Sequence, residues 1–288
     1  MTRQTKIVAI LLAILILPVA ALSQDDASLE TWAQKFGYKQ EEIHKVSLRR
    51  SNFPFITVTI NGTDVELLFD TGNMTGLALH SRIAQSLKLP VVDTWNLYSA
   101  AGEKIGTANV YAASTVTALG MKIDENRFNG RDSFDLDGLF GPKFLLGKRF
   151  TLDYANSLMA VSASKVPETL EGEELALHLI DSYAGMLVLK GKVNGREILM
   201  QLDTGKSRSV VDPALVEALK LEENSRGAKL NSVVIGSYEF SVPSAKIKSF
   251  KGISKRYPQP ILLGVGADIL SQLTITVDYP RGRIILQK

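Results

Sequence analysis

The tripeptide Asp-Thr-Gly occurs twice in this chain, at Asp70-Thr71-Gly72 and Asp203-Thr204-Gly205, and its surroundings repeat with it. FITVTINGTDVELLFDTG (55–72) precedes and includes the first copy, and LVLKGKVNGREILMQLDTG (187–205) the second. Both read as strand, Asn-Gly turn, strand, tripeptide. Asn-Gly between apolar or alternating runs is a strong hairpin signal. Asn61 lies nine residues before Asp70, and Asn194 nine before Asp203, so each hairpin delivers its Asp at the same point of its second strand. A lone Asp-Thr-Gly reads as an ordinary turn. Matched flanks make duplication the better explanation.

The repeat extends downstream. GLALHSRIAQSLKL (76–89) matches SVVDPALVEALKL (209–221), each extended at first and then a short amphipathic helix, with Asp212-Pro213 as N-cap and first helical residue. DGLFGPKFLLGKRFTLDYANSLMAV (137–161) matches PILLGVGADILSQLTITVDYPRGRIIL (260–286). Both hold two bulky apolar residues before a Gly, a short helix, a strand ending in Asp-Tyr, a turn and a closing strand. Units of this kind predict two similar all-β halves, joined through the polar segment 162–174, which carries Pro167 and Gly172.

The first residues belong to neither unit. MTRQTK is short and basic, 7–20 is apolar, and Ala21 and Ser23 are small residues at a cleavage-site spacing. This is the form of a secretory signal peptide cut after Ser23. The apolar stretch is shorter than the ~20 residues of a spanning helix and holds Pro18, which argues against an anchor. The domain reading is therefore signal peptide 1–23, N-terminal extension 24–45, N-terminal lobe 46–164 and C-terminal lobe 175–288. Within the extension, SLETWAQKF reads as a short helix capped by Ser28. The chain has no cysteine, which removes thiol chemistry and disulfides and leans toward a bacterial periplasm. His44, His80 and His178 show no metal-ligand spacing. A net charge of +3, with scattered basic residues, gives no footprint for nucleic acid.

The paired motifs resemble the aspartic peptidases: the two-lobed pepsins, and the retropepsins that assemble one site from two single-lobe subunits. The resemblance rests on the two tripeptides and on Leu139-Phe140-Gly141 and Leu262-Leu263-Gly264, the second element of each family motif. It covers residues 50–288 and, without large insertions, looks like two retropepsin-like repeats in tandem. It implies a two-lobed acid-protease fold, each lobe a retropepsin-like β-barrel with a short helix. It implies Asp70 and Asp203 as catalytic dyad, Thr71 and Thr204 bonded across the lobe junction, and Gly72, Gly205, Gly141 and Gly264 supporting the catalytic loops. No cofactor or metal is called for. Two carboxylates about 3 Å apart cannot both ionise and share one proton, so together they supply acid and base for an attacking water. This explains why the tripeptide is needed twice.

The implied protein is an exported, monomeric aspartic endopeptidase acting on protein or peptide substrates, periplasmic or extracellular, touching a membrane only through its signal peptide. Two positions depart from the family pattern. Asn73 follows the first tripeptide and is expected to hydrogen-bond the outer oxygen of Asp70. Lys206 follows the second and is expected to face solvent, since an unpaired ammonium is costly to bury. These departures motivate an alternative, a catalytically inactive retropepsin-like module that binds peptides. A third reading makes both turns structural parts of an unrelated β-protein. The segment 97–111 reads as a hairpin around Ala101-Gly102-Glu103, a candidate flap, with Tyr98 either a flap aromatic or an ordinary strand residue.

Overall fold

A computed structural model describes residues 24–288 except 50, 100, 133, 134, 165, 166, 168, 169 and 181–184. The expected signal peptide lies outside the described residues. Strand outweighs helix by 48% to 16%, so the chain is mostly β, as expected. No described helix is long and apolar enough to cross a membrane.

The two expected hairpins form. Phe53–Ile60 pairs with Thr63–Phe69, and Leu187–Val193 with Arg196–Leu202. Asn61 and Gly62 have φ of 50° and 81°, and Asn194 and Gly195 have 46° and 83°. Positive φ at both central residues matches the strand twist, and Asn-Gly tolerates it best. Each Asn also ties its turn to a later strand. Asn61 Oδ1 accepts from the Ser114 and Thr115 N–H groups at 2.8 and 3.0 Å, and Asn194 Oδ1 from Ser232 at 2.9 Å.

Each hairpin leads into the same strand order. In the first half, Thr63–Phe69 runs parallel to Gly138–Phe140, which is antiparallel to Leu77–Leu79, itself parallel to Arg127–Gly130. In the second, Arg196–Leu202 runs parallel to Ile261–Val265, antiparallel in turn to Val210–Val211, which is parallel to Tyr238–Ile247. The second circuit closes into a six-stranded barrel, because Gly227–Ile235 pairs with both Tyr238–Ile247 and Leu187–Val193. The barrel expected in the first half does not close in this way. The corresponding strand breaks into Lys104–Ala112 and Val116–Ala118, and only the second piece reaches Phe53–Ile60.

A six-stranded sheet joins the halves. Its centre is the antiparallel pair Arg149–Asp153 and Thr274–Asp278, flanked by Leu158–Ser162 and Arg283–Gln287, with Ile43–Lys45 and Glu173–Ala176 at the edges. One apolar core runs through it. Phe69 meets Phe150 edge-on at 5.5 Å between ring centroids, and Phe150 meets Tyr279 at 6.1 Å.

The N-terminal helix is longer than expected, Gln24–Phe36, so Ser28 sits inside it rather than capping it. Its apolar side, Trp32 and Phe36, packs with Tyr38 and Ala160. Arg149, 1% exposed, fastens the segment by donating to the carbonyls of Phe36 and Gly37 beneath the Tyr38 ring. The later helix Pro213–Leu219 matches expectation, with the Asp212 carboxylate accepting from Ala214 N–H at 2.9 Å.

Candidate active site

The two hairpins end at the same place. Asp70 and Asp203 each follow the last residue of a buried strand. Their own N–H groups bond to the strand running parallel beneath, Asp70 to the Phe140 carbonyl and Asp203 to that of Val265, both at 2.9 Å. Each carboxylate then folds over its own turn, Asp70 Oδ1 accepting from Gly72 N–H at 2.8 Å and Asp203 Oδ1 from Gly205 N–H at 3.0 Å.

The threonines couple the turns. Thr71 N–H donates to Thr204 Oγ1 and Thr204 N–H to Thr71 Oγ1, both at 3.0 Å. The Thr71 hydroxyl donates to the Leu202 carbonyl at 2.8 Å, and the Thr204 hydroxyl to that of Phe69 at 2.5 Å. Four bonds related by a pseudo-twofold thus satisfy buried groups on both strands. The glycines complete the approach. A Cβ on Gly72 would strike the Asp203 carboxylate, and one on Gly205 that of Asp70. Each Asp therefore lies against the other's turn.

Gly141 takes its expected place, where a Cβ would collide with the Asn73 carbonyl. Its counterpart is not Gly264. Pairing sets Phe140 opposite Phe69 and Val265 opposite Leu202, so the residue following each, Gly141 and Gly266, is equivalent. A Cβ on Gly266 would fall 2.8 Å from the Lys206 carbonyl oxygen, whereas Gly264 faces the Phe250 ring. A sequence signal existed: Gly141 lies twelve residues before Asp153 and Gly266 twelve before Asp278. Matching the nearest "apolar-apolar-Gly" missed the register by two.

Both expectations about the residues after the tripeptides need correction. Asn73 does not reach Asp70 with its side chain. Its amide donates to the Gly76 carbonyl at 2.9 Å, and its oxygen accepts from Thr75, because an Asx side chain readily serves its own loop. Lys206, its side chain 30% exposed, does not stand free in solvent. Its Nζ donates to Asp203 Oδ2 and sits 6.0 Å from the Phe250 ring centroid. The argument from an unpaired ammonium fails because this one finds a carboxylate partner. Burial still pushes the Lys206 pKa down to about 8, opposed by the charge of Asp70 and reinforced by that of Lys248. Burial raises Asp70 above the usual carboxylate range, opposed by Lys206 and by the Gly72 and Asn73 N–H groups.

The dyad opens into a cavity of about 450 Å³. Met74, Met186, Phe250 and Ile253 supply apolar wall, and Asn96, Leu97 and Tyr98 approach from the hairpin Val91–Tyr98/Lys104–Ala112. That hairpin is longer than 97–111 suggested. A Cβ at its tip, on Gly102, would come within 3.3 Å of the Gly252 Cα on the short helix Lys251–Ser254, so it bridges the cleft. The second half has only the stub Glu223–Asn224 against Gly227–Ala228 at the matching place. Tyr98 lines the cavity while 57% exposed. Arg131 and Lys248, not singled out by sequence, line it too. Among the described residues no cluster of His, Cys, Asp or Glu is arranged to hold a metal ion. Neither a known family model nor a curated protein sequence matches this chain.

Proposed function

We propose that this chain is an exported aspartic endopeptidase of the two-lobed acid-protease type, with Asp70 and Asp203 as its acid-base pair. The observation that carries the reading is the reciprocal threonine bracket, which sets each carboxylate against the glycine of the opposite turn. Such symmetry costs four buried bonds and two Cβ-free positions, and a pair of unrelated turns has no use for it.

In this reading Asp70, whose burial favours the neutral acid, holds the shared proton and gives it to the carbonyl oxygen of the scissile bond. Asp203, ionised among its donors, takes a proton from the attacking water. Asp203 then passes the proton it took from water to the amide nitrogen while Asp70 retakes one from a hydroxyl of the tetrahedral intermediate; the C–N bond breaks, acid and amine products leave, and the pair is restored. An extended peptide suits a cleft walled by strand ends and a bridging hairpin.

One observation favours a second reading. With Gly205 N–H on one oxygen and Lys206 on the other, Asp203 has both oxygens engaged, which suits a module that binds peptides without cutting them. The decisive experiment is digestion of a mixed peptide library by residues 24–288 from acid to neutral pH, beside Asp70→Asn and Asp203→Asn. Cleavage by the parent and by neither variant supports the endopeptidase. Folded protein that cuts nothing, yet binds peptides equally well in all three forms, supports the module.

A further inference from the structure

Arg131 and Lys248 occupy equivalent positions in the two halves. Arg131 follows the strand Arg127–Gly130 and donates its N–H to the Leu79 carbonyl at 2.9 Å. Lys248 follows Tyr238–Ile247 and donates to Val211 at 3.0 Å. Leu79 and Val211 end the strands that come after the two tripeptides. Each half thus sends one cation to the dyad cavity, which both side chains line together with Lys206; Arg131 acts on Asp70 and Lys248 on Lys206.

These charges are poorly neutralised. Among the described residues, the carboxylates lining the cavity are Asp70 and Asp203 alone, and the dyad chemistry keeps one of them protonated. Arg131 Nε is buried without a hydrogen-bond partner among the described residues, and a guanidinium nitrogen left so calls for an acceptor. A smaller recess on another side of Asp70 is lined instead by Phe53, Leu136 and Asp135, so the positive charge is confined to one side of the dyad.

We infer that the cleft selects peptides carrying a carboxylate next to the scissile bond, received by Arg131 and Lys248, and that this carboxylate competes with Asp203 for Lys206. The inference rests on the endopeptidase reading and adds its substrate class. Asp203 Oδ2 is capped by Lys206 before substrate arrives. An arriving carboxylate offers the ammonium a second partner and frees the base. Acidity in the substrate therefore raises kcat as well as lowering KM. A neutral peptide of the same shape gains neither.

The test uses residues 24–288 and peptide sets differing only in Glu, Gln or Lys beside the cut, each with a free or an amidated C-terminus. Cleavage kinetics are measured alongside equilibrium binding by fluorescence anisotropy. The expected result is a Glu-over-Gln preference of roughly tenfold or more in kcat/KM, the scale of a charge-assisted hydrogen bond. Arg131→Gln with Lys248→Gln brings the ratio near unity, chiefly through KM, and Lys206→Met removes the kcat part. If only free C-termini are favoured, the carboxylate received is the terminal one. Cleavage without acidic preference overturns the inference while the endopeptidase stands. Tighter binding of Glu peptides without cleavage keeps the selectivity and overturns the endopeptidase. Neither cleavage nor preferential binding overturns both.

Discussion

Replacing Thr204 with Val tests the bracket that the site depends on. The hydroxyl is the only group lost, and the shape is nearly kept. Two buried partners are then stranded: the Phe69 carbonyl, which accepted at 2.5 Å, and the Thr71 N–H, which donated at 3.0 Å. A buried group without its partner costs about 1–3 kcal/mol, so about 3 kcal/mol is expected for the pair. For a protein of this size that corresponds to roughly 6–12 °C in Tm. Thr71→Val strands the Leu202 carbonyl and Thr204 N–H and should cost the same, because the bonds are related by pseudo-symmetry. Urea unfolding and a thermal scan measure both, with exposed Thr57→Val as the control, expected within about 0.5 kcal/mol of the parent. Cleavage adds a second readout, with kcat falling more than KM as the carboxylates lose their fixed spacing. A loss below about 0.5 kcal/mol at Thr204 or Thr71, in the range of that surface control, would refute the reasoning.

Gly266→Ala should destabilise by about 1–3 kcal/mol as overpacking against rigid backbone does, while Gly264→Ala, meeting the Phe250 ring and the Lys206 stem rather than backbone, should cost less; equal urea midpoints would return Gly264 to the structural role expected of it. Lys206 has its pKa lowered from 10.5 to about 8, so between those values the unfolded chain holds a proton that the folded one has released. Stability therefore rises with pH across that window, by at most about 3.4 kcal/mol and less as solvent screens the part-exposed ammonium, and the rise should vanish in Lys206→Met when the two are compared by denaturant titration from pH 7 to 10.5. Removing that positive charge also raises the carboxylate pKa values, so the pH–rate profile of Lys206→Met should move to higher pH. Arg149→Met leaves the carbonyls of Phe36 and Gly37 without their donor. It should cost about 3 kcal/mol, and limited proteolysis should then nick the segment 24–42 before the rest of the chain.

Much of the frame was legible because it depends on short-range signals. Asn-Gly turns at a fixed distance from Asp-Thr-Gly specify two hairpins and their end points, and Asp212-Pro213 specifies a helix start. The reading failed where the outcome depends on which nearby group a polar side chain reaches. Solvent was the reasonable destination for Lys206 until Asp203, three residues earlier, was seen to turn its free oxygen toward it. Asn73 was offered a carboxylate by analogy, but its own loop lay closer. Arg131 and Lys248 stand 61 and 45 residues after their aspartates, since the first half carries the long hairpin and the second only a stub. Unequal spacing hid their equivalence, and only strand pairing recovers it.

The differences between the halves follow from what a duplicated frame leaves unconstrained. Positions that serve both turns at once, Thr71 with Thr204 and Gly72 with Gly205, are identical because a change in one strands a group in the other. The residue after each glycine serves only its own side, and there the halves diverge. Asn73 closes its side chain on Gly76 and offers Asp70 only its backbone N–H, so burial, which raises the Asp70 pKa, still outweighs the groups that oppose it. Lys206 reaches back to donate to Asp203, and its charge also opposes the rise at Asp70. In the proposed endopeptidase, the direct Lys206–Asp203 bond is expected to separate the proton affinities of two chemically equal aspartates. A symmetric pair must choose which member holds the proton; in the endopeptidase reading the single lysine is expected to make that choice. Exchanging the two residues, Asn73→Lys with Lys206→Asn, should then reverse the assignment. NMR titration of the two labelled carboxyls would read it directly: the higher pKa passes from Asp70 to Asp203 if these neighbours decide, and stays with Asp70 if the difference arises elsewhere in the frame.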